Sequence, residues 1–280
     1  METEKEKAGG EVFEKGKTDG DVLPAYGKKI LICEDTLEGL FTAVYDGWIW
    51  ASRGLEVKIC TGEPEYPELF ATSMHVPSES LKARKVARSV RKKLGAQVYE
   101  SVCFACASAH PDKGTAVFYV LRRALEHGRQ DTRVMEALAD PAVSLVSSLQ
   151  VKVWNELHRY YGFVRFRETG GGVLFARIAP ENDILELLAP HFADRFPGEN
   201  WMIYDEKRGK VLTHPKGKSC TVYAQVSLSE EESEALAQSD EYEGLWQTFC
   251  KCLTIEERKN PRLQRQFVPL KFRSNMTEFV

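Results

Sequence analysis

The stretch from Asp140 to Gly162, DPAVSLVSSLQVKVWNELHRYYG, most narrows what this chain can become. An aspartate followed by proline supplies an N-cap and a first-turn residue whose missing N–H is no loss there. Val146, Leu149, Val153, Leu157 and Tyr160 then recur at three- and four-residue spacing, so they line one side of a long helix. Gly162 stands where glycine commonly follows a helix C-terminus. Beyond it the period changes, and FVRFRETGGGVLFARI reads as a hairpin around a glycine turn. A long mid-chain helix with strands directly after it divides the chain into a mainly helical half and a strand-bearing half.

Residues 159–166, RYYGFVRF, nearly spell an RNA-recognition signature, with Tyr160 in place of glycine. The first residues of that octet complete a helix, and the region upstream is helical where a partner aromatic strand would be needed. The likeness is incidental. Pairing Thr169 with Val173 sets Val164 and Phe166 opposite Ile178 and Ala176 on a core face. The other face carries Phe163, Arg165, Arg167, Phe175 and Arg177, with Arg165 opposite Arg177. Like charges across a strand pair repel, so an anion belongs there: Glu181, Asp183 or Asp205 from within the fold, or else a phosphate or a partner's carboxylate.

In the first half, KILICED is a short apolar strand, Asp35 or Thr36 caps a helix bearing Leu37, Leu40, Phe41, Val44, Tyr45 and Trp48, and EVKICTG returns as a second strand. Ser80 to about Ala139 is helical. In the second half, Asn182 or Asp183 starts a helical segment, and Pro190 restarts a turn that places His191 and Arg195 on one face. WMIYD and KVLTH form a hairpin around Glu206 to Gly209, CTVYAQVSL adds a strand, and two helices follow, the second from Glu243 to Arg258. The segment KNPRLQRQFVPLKFR, with two prolines, reads as an extended basic arm with apolar anchors. Residues 1–27 hold few apolar side chains and read as a disordered charged tail. The expected fold is α+β: a helical N-terminal half with a short two-strand element, and a C-terminal half with a small antiparallel sheet of hairpins covered by helices. Residues 28–280 form one domain, with sub-domains 28–140 and 141–280 as an option.

The 280 residues are 43% apolar, enough for a substantial core. No run of about 18 apolar residues is present to span a bilayer, and the N-terminal stretch lacks the apolar segment of a secretory signal, so a cytoplasmic protein is expected. Seven cysteines, mostly within apolar segments, read as reduced thiols. The net charge of −3 hides two acid-free basic runs, seven cations from Lys82 to Lys93 and six from Arg258 to Arg273. Such runs either guide an anion or are solvated helix faces. Cys103-x-x-Cys106 with Cys250-x-Cys252 is poor zinc spacing and lacks a redox fold around it, so neither metal nor cofactor is expected. His158, His191 and His214 could serve acid–base chemistry, but no Ser/His/Asp order, His-Glu-x-x-His pair or P-loop accompanies them.

Taken together, CEDTLEGLFTAVYDG, HRYYGFVRF, IAPENDILELLAPHFADRFPGENWMIYDEKRG and ERKNPRLQRQFVP resemble a bacterial family associated with DNA metabolism and DNA repair, catalogued as domain of unknown function 4130. The resemblance runs from about Lys28 to Arg273. It implies an association with DNA and with a radical S-adenosylmethionine protein of DNA repair. By position, the family's histidine–arginine pair, glycine and arginine strand fall at His158, Arg159, Gly162 and Arg165, and two further pairs fall at His191 to Phe196. The ending departs from the family: VPLKFRSN stands where methionine–proline and Lys-Arg-Tyr-Trp are usual. Three readings stay open. The first is an accessory protein that meets DNA phosphates through Arg159, Arg165, Arg177, Arg195, Lys259, Arg262 and Arg265. The second is a lesion-processing enzyme using His158 or His191, and the third a pure protein-interaction subunit.

Overall fold

The computed structural model describes residues 27–64, 66–126, 130–169, 171–229, 241–254 and 259–279. The expected tail lies outside the described residues except for Gly27. The chain opens with β1 (Lys28–Cys33), α1 (Leu37–Ser52), β2 (Glu56–Cys60) and β3 (Ala71–Val76). These strands form a parallel sheet in the order β2-β1-β3. Ile30, Leu31, Ile32 and Cys33 are all buried, as suits a central parallel strand covered on both faces. The expected two-strand element thus gains a third member. ATSMHV escaped notice because it is an edge strand whose side chains are largely exposed and carry no apolar alternation. Thr36 is the α1 cap, its Oγ1 accepting from the Gly39 N–H at 3.0 Å.

Helices α2 (Ser80–Leu94), α3 (Ala96–Ala107) and α4 (Lys113–Leu125) follow, then α5 (Pro141–Phe163). Asp140 caps α5 through hydrogen bonds from the Ala142 and Val143 N–H groups at 2.9 and 3.4 Å. The helix continues through Gly162 to Phe163, past the expected stop. Its extra length uses residues assigned to the hairpin, so β4 is only Arg167–Glu168. The pairing register is nonetheless the expected one: Arg167 faces Phe175, and the Thr169 N–H bonds Val173 O at 2.9 Å.

The second sheet is β4, β5 (Val173–Ile178), β6 (Asn200–Asp205), β7 (Lys210–His214) and β8 (Thr221–Tyr223), adjacent in that order. The β6–β7 hairpin is as expected, but β5 and β6 run parallel, so the sheet is mixed rather than antiparallel. Their connection is α6 (Leu185–Arg195), a crossover helix of the kind a parallel pair requires. Pro190 lies inside α6, so the two expected segments are one helix. Neither Asn182 nor Asp183 caps it; Ile184 holds that position without a side-chain bond.

The C-terminal part comprises α7 (Glu241–Leu253), α8 (Pro261–Phe267) and α9 (Leu270–Arg273). The expected end of α7 at Arg258 lies outside the described residues. The extended arm is not found: Asn260 Oδ1 accepts from the Leu263 N–H at 3.0 Å and Pro261 takes the first helical turn. Proline there opens a helix rather than resisting one.

Two apolar clusters carry the fold. The first gathers buried residues from Leu31 to Leu149, on the Leu31 and Cys33 face of the parallel sheet and on α1–α5. The second joins the far half of α5, the mixed sheet, α6, and Phe272 and Met276 from the C-terminal segment. Glu156 on α5 helps to connect them. Its buried carboxylate accepts from the Glu181 and Asn182 N–H groups, both at 2.9 Å, and from Asn182 Nδ2 at 2.6 Å. Asn182 Oδ1 in turn accepts from the Ala109 N–H at 3.0 Å, beyond α3 in the first half.

Candidate functional site

Helical spacing places Trp154, His158 and Tyr161 on one side of α5. Trp154 and His158 stack with centroids 5.1 Å apart and planes at 7°. His158 meets the edge of Tyr161 at 6.0 Å, and Tyr161 stacks on His191 of α6 at 4.1 Å. A four-ring ladder therefore crosses from α5 to α6, its outer member Trp154 50% exposed. Burial lowers the His191 pKa, with Arg195 adding to the effect against Asp194. A neutral imidazole results, and its buried Nε2 has no hydrogen-bond partner among the described residues. His214 is elsewhere, buried against Trp201 at 5.0 Å, with Nδ1 3.2 Å from Glu199 O.

Exposed cations stand on both helices of the ladder and on the C-terminal segment. Arg195, one turn beyond His191, is exposed and lies over Phe196 at 5.5 Å. Arg159 is exposed on α5 and turns toward the C-terminal segment, lying over Phe272 of α9 at 5.9 Å. Lys259, Arg262 and Arg265 are exposed around α8. Arg165 and Arg177 are differently placed. Arg165 grips Glu278 with Nε and Nη2 at 3.2 and 2.6 Å and also bonds Gly162 O at 2.7 Å. Burial works to raise the Glu278 pKa, and the Arg165 hydrogen bonds overcome it, leaving the carboxyl lowered. Arg177 meets Glu206 at 3.5 Å. The anion expected between these arginines is thus supplied from within, but by Glu278 and Glu206. Glu181, Asp183 and Asp205 pair instead with Lys271 at 2.9 Å, Lys210 at 2.5 Å and Arg208 at 3.1 Å.

Cys103 and Cys106 lie on α3, where burial raises both thiol pKa values and keeps them protonated. No cluster of three metal-ligating side chains occurs among the described residues. Cys103 and Cys106 line a feature that sequence reasoning missed, a cleft of about 600 Å3. Its walls come from the segments following β1 and β3, from α2 and α3, and from Asp183, Glu186, Leu187 and Lys210 of the second half. Lys113, buried to 1% exposure, supports one wall by bonding Asp35 and Ser108 O. Only the acidic turn CEDT after β1 could have pointed to it, since the remaining walls are brought together by tertiary structure.

Among the described residues no helix is long and apolar enough to cross a membrane. No curated protein matches the chain. One solved structure, described as a member of the s1p family of ribosomal proteins with a DHH domain, aligns over 67% of this chain and 73% of its own at 9% identity and a TM-score of 0.27. A family model described as a domain of unknown function, DUF4130, matches residues 111–278, from the start of α4 through the mixed sheet to the C-terminal helices. The matched region holds the ring ladder, Arg195 and Glu156, and covers more than half of the sequence: the chain belongs to the DUF4130 family.

Proposed function

We propose that this protein is an accessory factor of DNA metabolism that binds nucleic acid across α5, α6 and the C-terminal helices, and that works beside a radical S-adenosylmethionine enzyme of DNA repair. The observation that carries the reading is the ladder of Trp154, His158, Tyr161 and His191, open at its exposed Trp154 end and with the Arg195 guanidinium acting on His191. Exposed ring faces accept unpaired bases by stacking, worth about 1–3 kcal/mol per base. Neighbouring cations hold phosphates and set register without reading sequence. Lys259, Arg262 and Arg265 extend the positive surface, while Arg165 and Arg177 shape it by holding their own carboxylates.

The test is fluorescence anisotropy with single- and double-stranded oligonucleotides over a salt series. Log affinity is expected to fall linearly with log salt, with single strands bound more tightly. Trp154→Ala should weaken single-strand binding by about five- to 150-fold, the worth of one stacked base. Absence of binding at low salt would overturn the reading and favour a protein-interaction subunit, recognised by co-purification with the radical enzyme. A lesion-processing enzyme is the second reading. It draws on the placement of His158 and neutral His191 on either side of Tyr161. Unchanged turnover of damaged oligonucleotides by His158→Ala and His191→Ala variants would eliminate it.

A further inference from the structure

The cleft between the two cores has a chemistry of its own. It opens at the carboxyl ends of parallel strands β1 and β3, the place where open α/β sheets take ligands, and its volume of about 600 Å3 is that of a small-molecule site. The first turns of α1 and α2 face it and would ordinarily attract an anion. Here the protein's own carboxylates already stand at that end.

Of the five carboxylates that line the cleft, Asp35 is neutralised by Lys113 and Asp183 by Lys210. Among the described residues, the Glu34 and Glu38 carboxylates receive only hydroxyl hydrogen bonds, from Ser78 at 2.6 Å and Ser80 at 2.7 Å. Glu186 adds a third carboxylate, and Arg84 is the cation set against these three. The excess charge is negative. Behind it lies an apolar floor: Phe41 and Tyr99, edge to face at 6.3 Å, with Ala83, Ala87 and Leu187. A bare divalent ion would find carboxylates but no use for this floor, and no three-ligand cluster is present among the described residues.

We infer that the cleft binds a small organic cation, an ammonium or amidinium head on a planar apolar body, with the head toward Glu34, Glu38 and Glu186 and the body against Phe41 and Tyr99. This occupant matches both halves of the lining. An anion is repelled by the carboxylates, and a hydrated metal ion has no use for the apolar floor.

The probe is tryptamine, titrated calorimetrically into the full chain beside indole-3-acetate, which carries a similar ring on an opposite charge. Tryptamine is expected to saturate with a Kd of about 1 mM or tighter and indole-3-acetate to bind at least about tenfold more weakly. Glu38→Gln and Glu186→Gln, both at exposed positions, should each weaken tryptamine by about tenfold, the worth of one charge-assisted hydrogen bond. Ala87→Trp, which fills the cleft from α2, should abolish binding while circular dichroism stays native. Equal affinity for the two indoles, no saturable binding in that range, or indifference to both glutamine substitutions would overturn the assignment.

Discussion

Replacing Glu156 with alanine tests whether the two cores are truly tied through one carboxylate. The side chain is buried and satisfies three donors, the Glu181 and Asn182 N–H groups and the Asn182 side-chain amide. Its removal strands those donors where little water reaches them. Each unsatisfied buried group costs about 1–3 kcal/mol, and partial relaxation of the loop brings the total to about 3–5 kcal/mol rather than the full sum. For a chain of this size each kcal/mol lowers Tm by about 2–4 °C, so a fall of about 6–20 °C is expected. Glu156→Gln keeps one acceptor oxygen but turns an NH2 toward a donor, so its loss should fall between wild type and Glu156→Ala. The assay is urea unfolding followed by tryptophan fluorescence and far-ultraviolet circular dichroism, with Asn182→Ala completing a double-mutant cycle. The two alanine substitutions should be strongly non-additive, because they remove the same hydrogen bonds. A loss below about 1 kcal/mol for Glu156→Ala, or additive effects in the cycle, would refute the connection.

Glu68 bonds Lys28 at 2.7 Å and Lys58 at 2.5 Å, and these hydrogen bonds lower its pKa to about 2. Because the folded value lies below the unfolded one, its contribution is whole above about pH 4.3 and drains away as pH falls through the folded value. Glu68→Gln should therefore remove part of the acid-side loss of stability, seen as Tm profiles that differ at pH 6 and converge near pH 2. Gly39→Ala should cost about 1–3 kcal/mol in urea unfolding, since the new methyl would lie 2.5 Å from the Glu34 carbonyl oxygen; a neutral result would show that α1 can shift away from β1. In native protein a thiol reagent should modify exposed Cys252 first, and should reach Cys33, whose pKa burial raises to about 12, only on unfolding; mass spectrometry of the labelled peptides reports the order. Serine at Lys259, Arg262 and Arg265 together should flatten the salt dependence of DNA binding by about one unit of log–log slope per lost phosphate contact; an unaltered slope would remove α8 from the interface.

Local signals in the sequence located what local energetics decide. Asp140-Pro141 and Thr36 announce their helices because a capping oxygen needs only its next few N–H groups. The Thr169–Val173 register follows from side-chain alternation, and the β6–β7 hairpin from a short polar turn. What escaped depends on distant partners. Nothing in ATSMHV reveals that β1 will pair with it, since parallel strands are joined through whatever chain lies between. The parallel β5–β6 pair looks in sequence like part of a hairpin-built sheet because a single crossover helix resembles two short segments around Pro190. Two prolines in KNPRLQRQFVPLKFR suggested an extended arm, but Pro261 falls at the one helical position that favours it. At the site, the cations were legible as residues and their states were not. Arg165 and Arg195 look alike in sequence, yet Glu278, more than a hundred positions away, engages the first while the second remains exposed.

The contribution of Phe272 and Met276 to the second core bears on how the chain matures. All buried members of the first cluster lie between Leu31 and Leu149, so that core has its full complement while much of the polypeptide is still to be translated. The second draws its members from Phe104 to Met276 and cannot close over Tyr160 and Phe163 until the last of them has left the ribosome tunnel. During that interval the inner face of α5's distal half and of the mixed sheet is without its cover, the condition in which nascent chains depend most on chaperones. Order of synthesis and order of core completion coincide, and α5, which with α3 supplies residues to both clusters, is the template on which the later one assembles.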